Sequence, residues 1–551
     1  MLEKNIYSYI QPKTIWLAFN KTNSNLFYLC VFLVAVGSLI LKLDEFDYFL
    51  GKFIWAEDGT VFLSKAQSLG LSAIIEPYAG YLHLYPRLVA HLSLFFDLLY
   101  RPLVILAGWL IAYFFMVFTF SRIAKRVGFS STLTTFLIVI VTLQPHYGEN
   151  FFNITNSQWL LGAALSLWTL TPNEDMRHRP FLKALLLILL SLTGPFSIIL
   201  IPLLLIKLIF IKDWNANKLM YCIVFLGGVI QALFLSLSFR EASLGIISLS
   251  PWDWFLSFFQ ILMFGANTIG LLLLAIMFWV VLGSSFVYKL VKKQYFSKDF
   301  FMPALLLTAA LVFILAAQYS HKHNPLAVVA LEGGNRYSWI PYALIFFVAL
   351  WLTLSLRFAK ILITILMGAI CNYNFHRISS PNLQFESFAK FSKQHEVIIP
   401  IPPQMQAFPG WHINGAPKEN SSLPTGQALT LEEGQLSFNE LSSTPSNGEL
   451  LLQSYGNDPY LSFNNPINCS DSTDIGIEIH MLRENEDWIQ VFWSESNAYI
   501  EANSLKRWYP ANEIRAQFAF PSKGTPSFIR IDPMTHAGSL HIKEIKFFCL
   551  K

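Results

Sequence analysis

The chain has 551 residues, of which 54% are hydrophobic, 13% are charged and 49 are Phe, with a formal net charge of +4. So apolar and charge-poor a composition excludes an ordinary soluble globular protein and points to a polytopic membrane protein. The small net charge offers no basic surface for a nucleic-acid partner.

A stretch of about 25 mixed polar residues precedes the first apolar run, and no small-residue cleavage site follows it, so no cleavable signal is expected. That run, 26–43, carries no charge before Lys42 and is long enough to cross hydrocarbon. Ten further apolar segments follow at 103–120, 132–143, 158–170, 182–193, 196–210, 219–238, 269–288, 302–318, 339–356 and 361–371. Several are too short to span alone and must be extended or packed inside the bundle. Basic residues flank alternate segments: Lys4, Lys13 and Lys21, then Arg122, Lys125 and Arg126, then Arg177, Arg179 and Lys183. Lys212 and Lys218, then Lys289, Lys292, Lys293 and Lys298, and finally Arg357 and Lys360 continue the series. In an eleven-crossing arrangement these clusters share one side, which the positive-inside rule makes the cytoplasm. The N-terminus is then cytoplasmic, and the region after the last segment lies outside.

The arrangement turns on Thr193-Gly194-Pro195. Arg179 and Lys212 are both cytoplasmic only if the stretch between them goes in and comes back. Gly and Pro break a helix, so two short helices meeting at Gly194-Pro195 satisfy both signals; one kinked span would invert everything after it. Acids, His and Arg gather in the outer loops. The first loop, 44–102, holds Trp55-Ala56-Glu57-Asp58-Gly59 and then Pro77-Tyr78-Ala79-Gly80-Tyr81-Leu82-His83-Leu84-Tyr85-Pro86-Arg87. Its apolar stretch 88–99 reads as a helix lying along the surface. The second loop, 144–156, has Glu149 as its sole acid. The third holds Arg240, Glu241, Trp252, Asp253 and Trp254. The fourth runs from Ser320-His321-Lys322-His323-Asn324 to Glu332-Gly333-Gly334-Asn335-Arg336-Tyr337.

After Cys371 the composition becomes polar. Residues 372–448, with the Pro-rich run Ile399-Pro400-Ile401-Pro402-Pro403 and a Ser/Thr/Pro/Gly-rich tract at 420–447, read as a linker and extended outer segment. From 449 to 551, alternating runs at 450–455, 475–482, 489–493, 514–520, 528–532 and 540–548 predict a β-sandwich or jelly roll. Cys30, Cys222 and Cys371 sit in or beside apolar segments, where a thiol is a small hydrophobe. Cys469 and Cys549 are the two in the outer domain, and an oxidising compartment permits a bridge between them. No Cys or His group has zinc spacing, and His321-Lys322-His323 is too sparse for one.

An N-terminal apolar helix, an acidic motif in the first outer loop, a second acid after the third helix and a soluble C-terminal domain resemble the GT-C superfamily. Its members are integral-membrane glycosyltransferases that use polyprenyl-phosphate-linked sugars. Phe53-Ile54-Trp55-Ala56-Glu57-Asp58-Gly59-Thr60-Val61-Phe62-Leu63 with the run ending at Arg87 is similar to bacterial enzymes of this type. Asn153-Ile154-Thr155-Asn156-Ser157-Gln158-Trp159, Gly194-Pro195 and Ile399-Pro400-Ile401-Pro402-Pro403 fit the same group. Phe528-Ile529-Arg530-Ile531-Asp532-Pro533 resembles galactose-binding-like jelly rolls. The chain departs from the better-known members in lacking an Asp-x-Asp triplet in the second loop, so a divalent cation is left open. The fold expected is therefore a polytopic α-helical, GT-C-like membrane domain over 1–371 with a C-terminal jelly-roll-like β-sandwich. Its place is the bacterial inner membrane, with that sandwich on the outer side.

The resemblance implies transfer of a sugar from a polyprenyl-phosphate donor to a glycan or lipid-linked acceptor. The family's first-loop acid falls at Glu57-Asp58. Asp58 is the expected base for the acceptor hydroxyl, with Glu57 capping or pairing beside it. Glu149 either orients the acceptor, joins a metal site or is a surface carboxylate. Arg87 and Arg336 match phosphate geometry and would take the charge of the leaving group; Arg336 is otherwise an interfacial anchor. His83, Tyr81 and Tyr337 line the sugar site or serve as structural hydrogen-bonding groups. A lipid-linked oligosaccharide transporter or flippase would place ionisable groups at helix centres, where this sequence has almost none. A non-catalytic glycan-binding assembly protein is the third reading.

Overall fold

The computed structural model describes residues 12–44, 52–146, 148–172, 179–237, 250–292, 297–329, 334–379, 382–404, 406–417, 427–428, 436–446, 449–464, 469, 474–495, 499–521 and 528–550. Arg177, Arg240, Glu241, Lys293 and Glu332, named above, lie outside these residues, as does much of the tract 420–447. Along the chain the helices are α1 (Pro12–Lys42), α2 (Ser64–Leu69), α3 (Leu84–Ser93), α4 (Arg101–Arg126), α5 (Ser131–Leu143), α6 (Ser157–Leu170), α7 (Pro180–Ser191), α8 (Phe196–Ile211), α9 (Trp214–Leu237), α10 (Pro251–Leu262), α11 (Ile269–Val291), α12 (Lys298–Ser320), α13 (Trp339–Thr353), α14 (Arg357–Tyr373) and α15 (Phe385–Phe391). Two compact units result. One comprises Met1–Phe46, Ser72–Val89 and Leu106–Ser379; the other comprises Asp47–Leu71, Ala90–Ile105 and Ser380–Lys551.

In the first unit α13 is the axis. Every residue of Trp339–Thr353 is buried, and so is every residue of α6 except Trp168. A helix apolar on all sides has no solvent or lipid face, so it belongs at the centre of a bundle. α12, α6, α14, α5 and α11 pack around α13. Among the described residues six helical stretches are long and apolar enough to cross a membrane. They are Asn25–Lys42, Leu98–Arg126, Trp214–Leu237, Ile269–Val291, Lys298–Ser320 and Asn335–Thr353. They are fewer than the eleven crossings expected. The helices Ser131–Leu143, Pro180–Ser191 and Phe196–Ile211 are apolar but shorter. At roughly 1.5 Å per residue they fall short of the roughly 30 Å hydrocarbon core. Two of the loops read as outer contain short helices. The stretch 88–99 is only partly helical: α3 ends at Ser93, and Asp97 then caps a short turn by accepting from Leu99 N at 3.1 Å. The third loop contains α10, whose N-cap Ser250 accepts from Asp253 N.

The break at Gly194 does turn the chain back. Arg179, Leu182 and Lys183 at the start of α7 line one cavity with Trp168, at the end of α6, and with Arg122 and Arg126. At the end of α8, the Lys207 ammonium donates to Thr169 O at 2.7 Å and Thr171 O at 3.0 Å, again at the end of α6. The start of α7 and the end of α8 therefore share one end of the bundle. Between them Gly194 takes φ +84°, the left-handed region that glycine enters without a Cβ penalty. A Cβ there would lie 2.6 Å from the Phe196 ring and 2.8 Å from Gln158 Oε1.

The second unit is built on antiparallel strands. They are β1 (Val397–Pro400), β2 (His412–Gly415), β3 (Gln427–Ala428), β4 (Leu436–Asn439), β5 (Leu441–Ser446), β6 (Glu449–Ser454), β7 (Tyr460–Asn464), β8 (Asp474–Arg483), β9 (Asp487–Ser494), β10 (Ser504–Tyr509), β11 (Asn512–Pro521), β12 (Phe528–Asp532) and β13 (Gly538–Leu550). One sheet has the order β10-β9-β12-β7-β4; the other has β11-β8-β13-β6-β5, with β3 beside β13. Ile529 and Ile531 of β12 point inward with Leu461 and Phe463 of β7, and all four are buried. Trp493 stacks on Phe520 with ring centroids 4.5 Å apart. The strands β4 and β5 lie in the stretch read as linker, because their Ser- and Asn-rich sequences lack a clear alternation. α15 docks on β8 and β11. There Lys390 and Ser387 reach Asp474 at 2.8 and 2.5 Å.

Cys469 and Cys549 form a disulfide with Cα atoms 5.4 Å apart and 80 residues between them in sequence. Replacing both by Ser should lower stability by about 4 kcal/mol if loop entropy dominates. Denaturant unfolding of the full chain in detergent measures this; unchanged midpoints would mean that the bridge adds nothing.

Candidate functional site

Glu57 and Asp58 open a short helical stretch, Asp58–Leu63, that continues into α2. Asp58 is fully buried, whereas Glu57 is half-buried and makes no side-chain cap bond. The stretch is clamped by the Pro-rich segment, since Ala56 N donates to Pro402 O at 2.8 Å. A Cβ on Gly59 would come within 2.5 Å of Ile401 Cδ1 and 2.8 Å of Ile413 Cγ1. Only glycine allows this approach, so the acidic motif and the Pro-rich motif fit each other within the second unit.

In the first unit, Tyr81, His83 and Arg87 share one loop and the first turn of α3. His83 is buried, its Nε2 lies 3.2 Å from Tyr78 O, and its ring lies 4.6 Å from that of Tyr81. Burial, and then the positive charge of Arg87, push its pKa down to about 3, against the opposing bond to Tyr78 O. His83 is therefore neutral at physiological pH. Arg87 is also buried, and its N–H donates to His83 O at 3.0 Å. The loop is fastened to the helix break. Gly194 N donates to Leu82 O at 3.0 Å, and Leu82 N to Gln231 Oε1 at 2.8 Å. Gln231 Nε2 donates in turn to Gly194 O at 3.0 Å.

Glu149, Arg336 and Tyr337 form a second group. Glu149 and Arg336 are ion-paired. The Arg336 guanidinium lies over the Tyr337 ring at 5.1 Å. Asn153 and Asn156 hold the loop by donating to Glu149 O at 2.7 and 2.9 Å. His321, Asn324, Arg336 and Tyr337 line an open cleft of about 360 Å³. This group also reaches the break: the Trp159 and Tyr337 rings are 5.1 Å apart, and Trp159 is next to Gln158, the neighbour of Gly194. Glu149 and Arg336, which the sequence reading treated separately, are thus paired in the structure.

Around this group several buried polar atoms have no protein partner among the described residues. They are Gln144 Oε1, His146 Nε2, both amide atoms of Asn150, Gln158 Oε1, Trp159 Nε1 and Trp339 Nε1. Burial also holds His146 well below the ordinary histidine range, with the charge of Lys42 next in effect. Unpaired buried polar groups are costly, so a concentration of them marks a place adapted to a polar guest. None of these, nor Gln231 and His321, was singled out from sequence as a site residue. Gln231 carried a signal, a polar amide in the middle of an apolar helix. Among the described residues no three His, Cys, Asp or Glu converge to hold a metal ion, so the open question of a divalent cation finds no ligand set there.

The β-sandwich offers a separate surface. Residues of the five-stranded sheet that point away from the core form cross-strand rows. Ser437, Ser462, Arg530 and Phe492 make one, and Tyr460, Asp532, Gln490 and Lys506 lie in the next, with Trp488 opposite Trp508 beyond. Arg530 forms a bidentate pair with Asp532 at 2.6 and 2.8 Å, contacts Asp458 at 2.5 Å and lies 3.9 Å from the Tyr460 ring centroid.

No family model and no curated protein matches the chain. Among solved structures, the C-terminal β-sandwich resembles carbohydrate-binding modules. The second N-terminal cellulose-binding domain of Cellulomonas fimi β-1,4-glucanase C matches at 13% identity over 24% of this chain and 97% of that chain, with a TM-score of 0.20. A carbohydrate-binding module of Cellvibrio mixtus lichenase 5A, in complex with cellotriose, matches at 13% over 23% and 98%, TM-score 0.19. The C-terminal module of the laminarinase LamC from Zobellia galactanivorans matches at 16% over 22% and 94%, TM-score 0.17.

The neutral His83 makes a pH prediction. Unfolded, it takes up a proton near pH 6.5, but folded only near pH 3. Between these values the unfolded state binds more protons, so stability is full above pH 6.5 and falls as pH drops toward 3. His83→Gln should flatten the acid side of the stability profile, read from thermal unfolding at pH 7 and pH 5. An equal loss in variant and parent would refute the burial of a neutral imidazole.

Proposed function

We propose that the chain is a membrane glycosyltransferase that moves a sugar from a polyprenyl-phosphate donor to a glycan or lipid-linked acceptor. The observation that carries the reading is the concentration, beside Glu149–Arg336, of buried polar atoms without protein partners among the described residues, at the helix break of an otherwise apolar bundle. A sugar supplies many hydroxyls to such atoms, and a lipid carrier suits apolar helices. In the reaction the acceptor hydroxyl oxygen bonds to the anomeric carbon. The bond from that carbon to the phosphate oxygen breaks, and its electron pair leaves with the phosphate. Asp58 takes the hydroxyl proton, with Glu57 outside the reaction. Arg87 and Arg336 neutralise the departing phosphate, and Glu149 fixes the plane of the Arg336 guanidinium. Neutral His83, with Tyr81 and Tyr337, hydrogen-bonds sugar hydroxyls. The outer side of the bacterial inner membrane is the place proposed for this chemistry.

A second reading, a non-catalytic membrane protein that binds glycan, is favoured by one surface. The aromatic rings and fixed polar groups around Tyr460, Gln490 and Arg530 match the apolar faces and hydroxyl edges of sugars. Incubating purified full-length protein with a polyprenyl-phosphate sugar and a glycan acceptor separates the two. Transfer supports the enzyme, and glycan binding without transfer supports the second reading.

Two variants test the roles. Asp58→Asn keeps shape and removes basicity, so transfer should fall by at least about 10²-fold, the lower range for loss of a general base, while the protein still folds. Retained transfer would take Asp58 out of the base role. Arg336→Lys keeps the charge but loses the planar fork, so transfer should fall about tenfold, worth roughly 1.4 kcal/mol. Full activity with Lys would reduce Arg336 to an interfacial anchor.

A further inference from the structure

Helix α9 carries a glutamine deep in its apolar sequence. Gln231 is fully buried, and a polar side chain in such a helix is costly unless it is bonded. Its amide makes three hydrogen bonds. Oε1 accepts from Leu82 N at 2.8 Å, and Nε2 donates to Leu82 O at 3.2 Å and to Gly194 O at 3.0 Å. Turned over, the amide would set its oxygen against two carbonyls, so one orientation is fixed. All three partners are main-chain groups. Gln231 therefore closes a junction between the helix break and the loop before α3, rather than gluing one helix to another.

A short ladder prepares that junction. His83 and Thr193 form an antiparallel bridge. Gly194 N donates to Leu82 O at 3.0 Å, Leu84 N to Leu192 O at 3.1 Å, and Tyr85 N to Thr193 Oγ1 at 3.1 Å. Gln231 holds the Leu82 end. Its reach depends on two glycines, four and three residues earlier on the same face of α9. A Cβ on Gly227 would lie 2.6 Å from Ser191 Cβ at the end of α7. A Cβ on Gly228 would lie 2.5 Å from Ile201 Cδ1 and 3.2 Å from Ser197 O in α8. Without side chains at these positions α9 sinks against both halves of the broken hairpin, and that depth brings the amide to the turn.

We propose that Gln231 is a positioning residue that sets the sugar selectivity of the donor site. One amide holds both polar backbone groups of Leu82, which fixes the dihedrals of that residue. In extended backbone the two neighbours of a residue project to one face, and the Tyr81 and His83 rings lie 4.6 Å apart. Gln231 acts through Leu82 on the separation and tilt of those rings. The inference rests on the reading of Tyr81 and His83 as groups that hydrogen-bond sugar hydroxyls. The bonds at Leu84 and Tyr85 do not involve Gln231, so losing the amide loosens Leu82 while the rest of the ladder stays.

The first measurement is amide hydrogen exchange of purified full-length protein. The Leu82 N–H of the parent should be strongly protected, and rapid exchange there would overturn the proposal before any variant is made. Gln231→Met keeps length and volume without the amide, so Leu82 should exchange about tenfold faster or more, as expected when a buried donor loses its acceptor. Gly227→Ala leaves the amide intact but lifts α9, and should act in the same direction. Parent-like exchange at Leu82 in Gln231→Met would overturn the clamp. The second measurement is transfer from polyprenyl-phosphate-linked hexoses that are epimers of one another. Gln231→Met should raise the donor KM about tenfold with kcat changed by less than about twofold, because it alters binding and not the proton transfer. Its preference among the epimers should shrink. An equal loss with every hexose, or a fall in kcat alone, would overturn the role in selectivity. Absence of transfer by the parent would sink the glycosyltransferase reading and with it the sugar part, while exchange would still decide whether Gln231 holds the loop.

Discussion

The helical unit depends on one backbone geometry, the left-handed turn at Gly194. Its N–H is taken by Leu82, its carbonyl by Gln231, and its missing Cβ leaves room for Phe196 and Gln158. A helix broken among apolar neighbours leaves backbone groups that must be satisfied by protein. Here a side-chain amide from α9 and the main chain of the loop before α3 do so. The same bonds bring Tyr81, His83 and Arg87 against the break. Gln158 and Trp159 connect it to Tyr337, and Tyr337 to Arg336. The polar groups therefore converge because one turn has to be satisfied.

Electrostatics then differentiates these groups. His83 is kept neutral by burial and by Arg87, so it can both donate and accept hydrogen bonds without charge. Arg336 is compensated by Glu149, with their side chains 30% and 14% exposed. A pair so placed holds the guanidinium plane in a fixed orientation. The sheet face treats Arg530 in the same way, flanking it with Asp532 and Asp458 above an aromatic ring. In each unit a planar cation is set by carboxylate and an aromatic face.

How much of this was legible in sequence follows from the range of each interaction. Strand β12 was read with its bounds intact, and β8, β9, β11 and β13 within two residues, because alternation is a local signal. Gly194-Pro195 was legible because those two residues act on their own backbone. The short strands β4, β7 and β10 lack a strong period; β7 and β10 are held in the sheet by their neighbours on β12 and β9. The apolar segments were legible, but hydropathy alone does not distinguish a spanning helix from a short one packed in a bundle, and six of those described are long enough to cross. The pairing of Glu149 with Arg336 links residues 187 apart, and the buried unpaired amides exist only through packing. Neither leaves a mark on nearby sequence.

The fit of Gly59 against Ile401 and Ile413 also has a consequence in time. Thr60 and His412, which meet in that contact, are 352 residues apart. At translation rates of about 5–20 residues per second, roughly 20–70 s separate their emergence. For that interval the segment bearing Glu57 and Asp58 lacks its contacts with the Pro-rich segment and β2, while five of the six long apolar helices described are made. Biogenesis therefore returns to an early segment: residues 401–413, made after α14, seat the stretch that bears the acidic motif, and that stretch takes its folded form only once they have emerged.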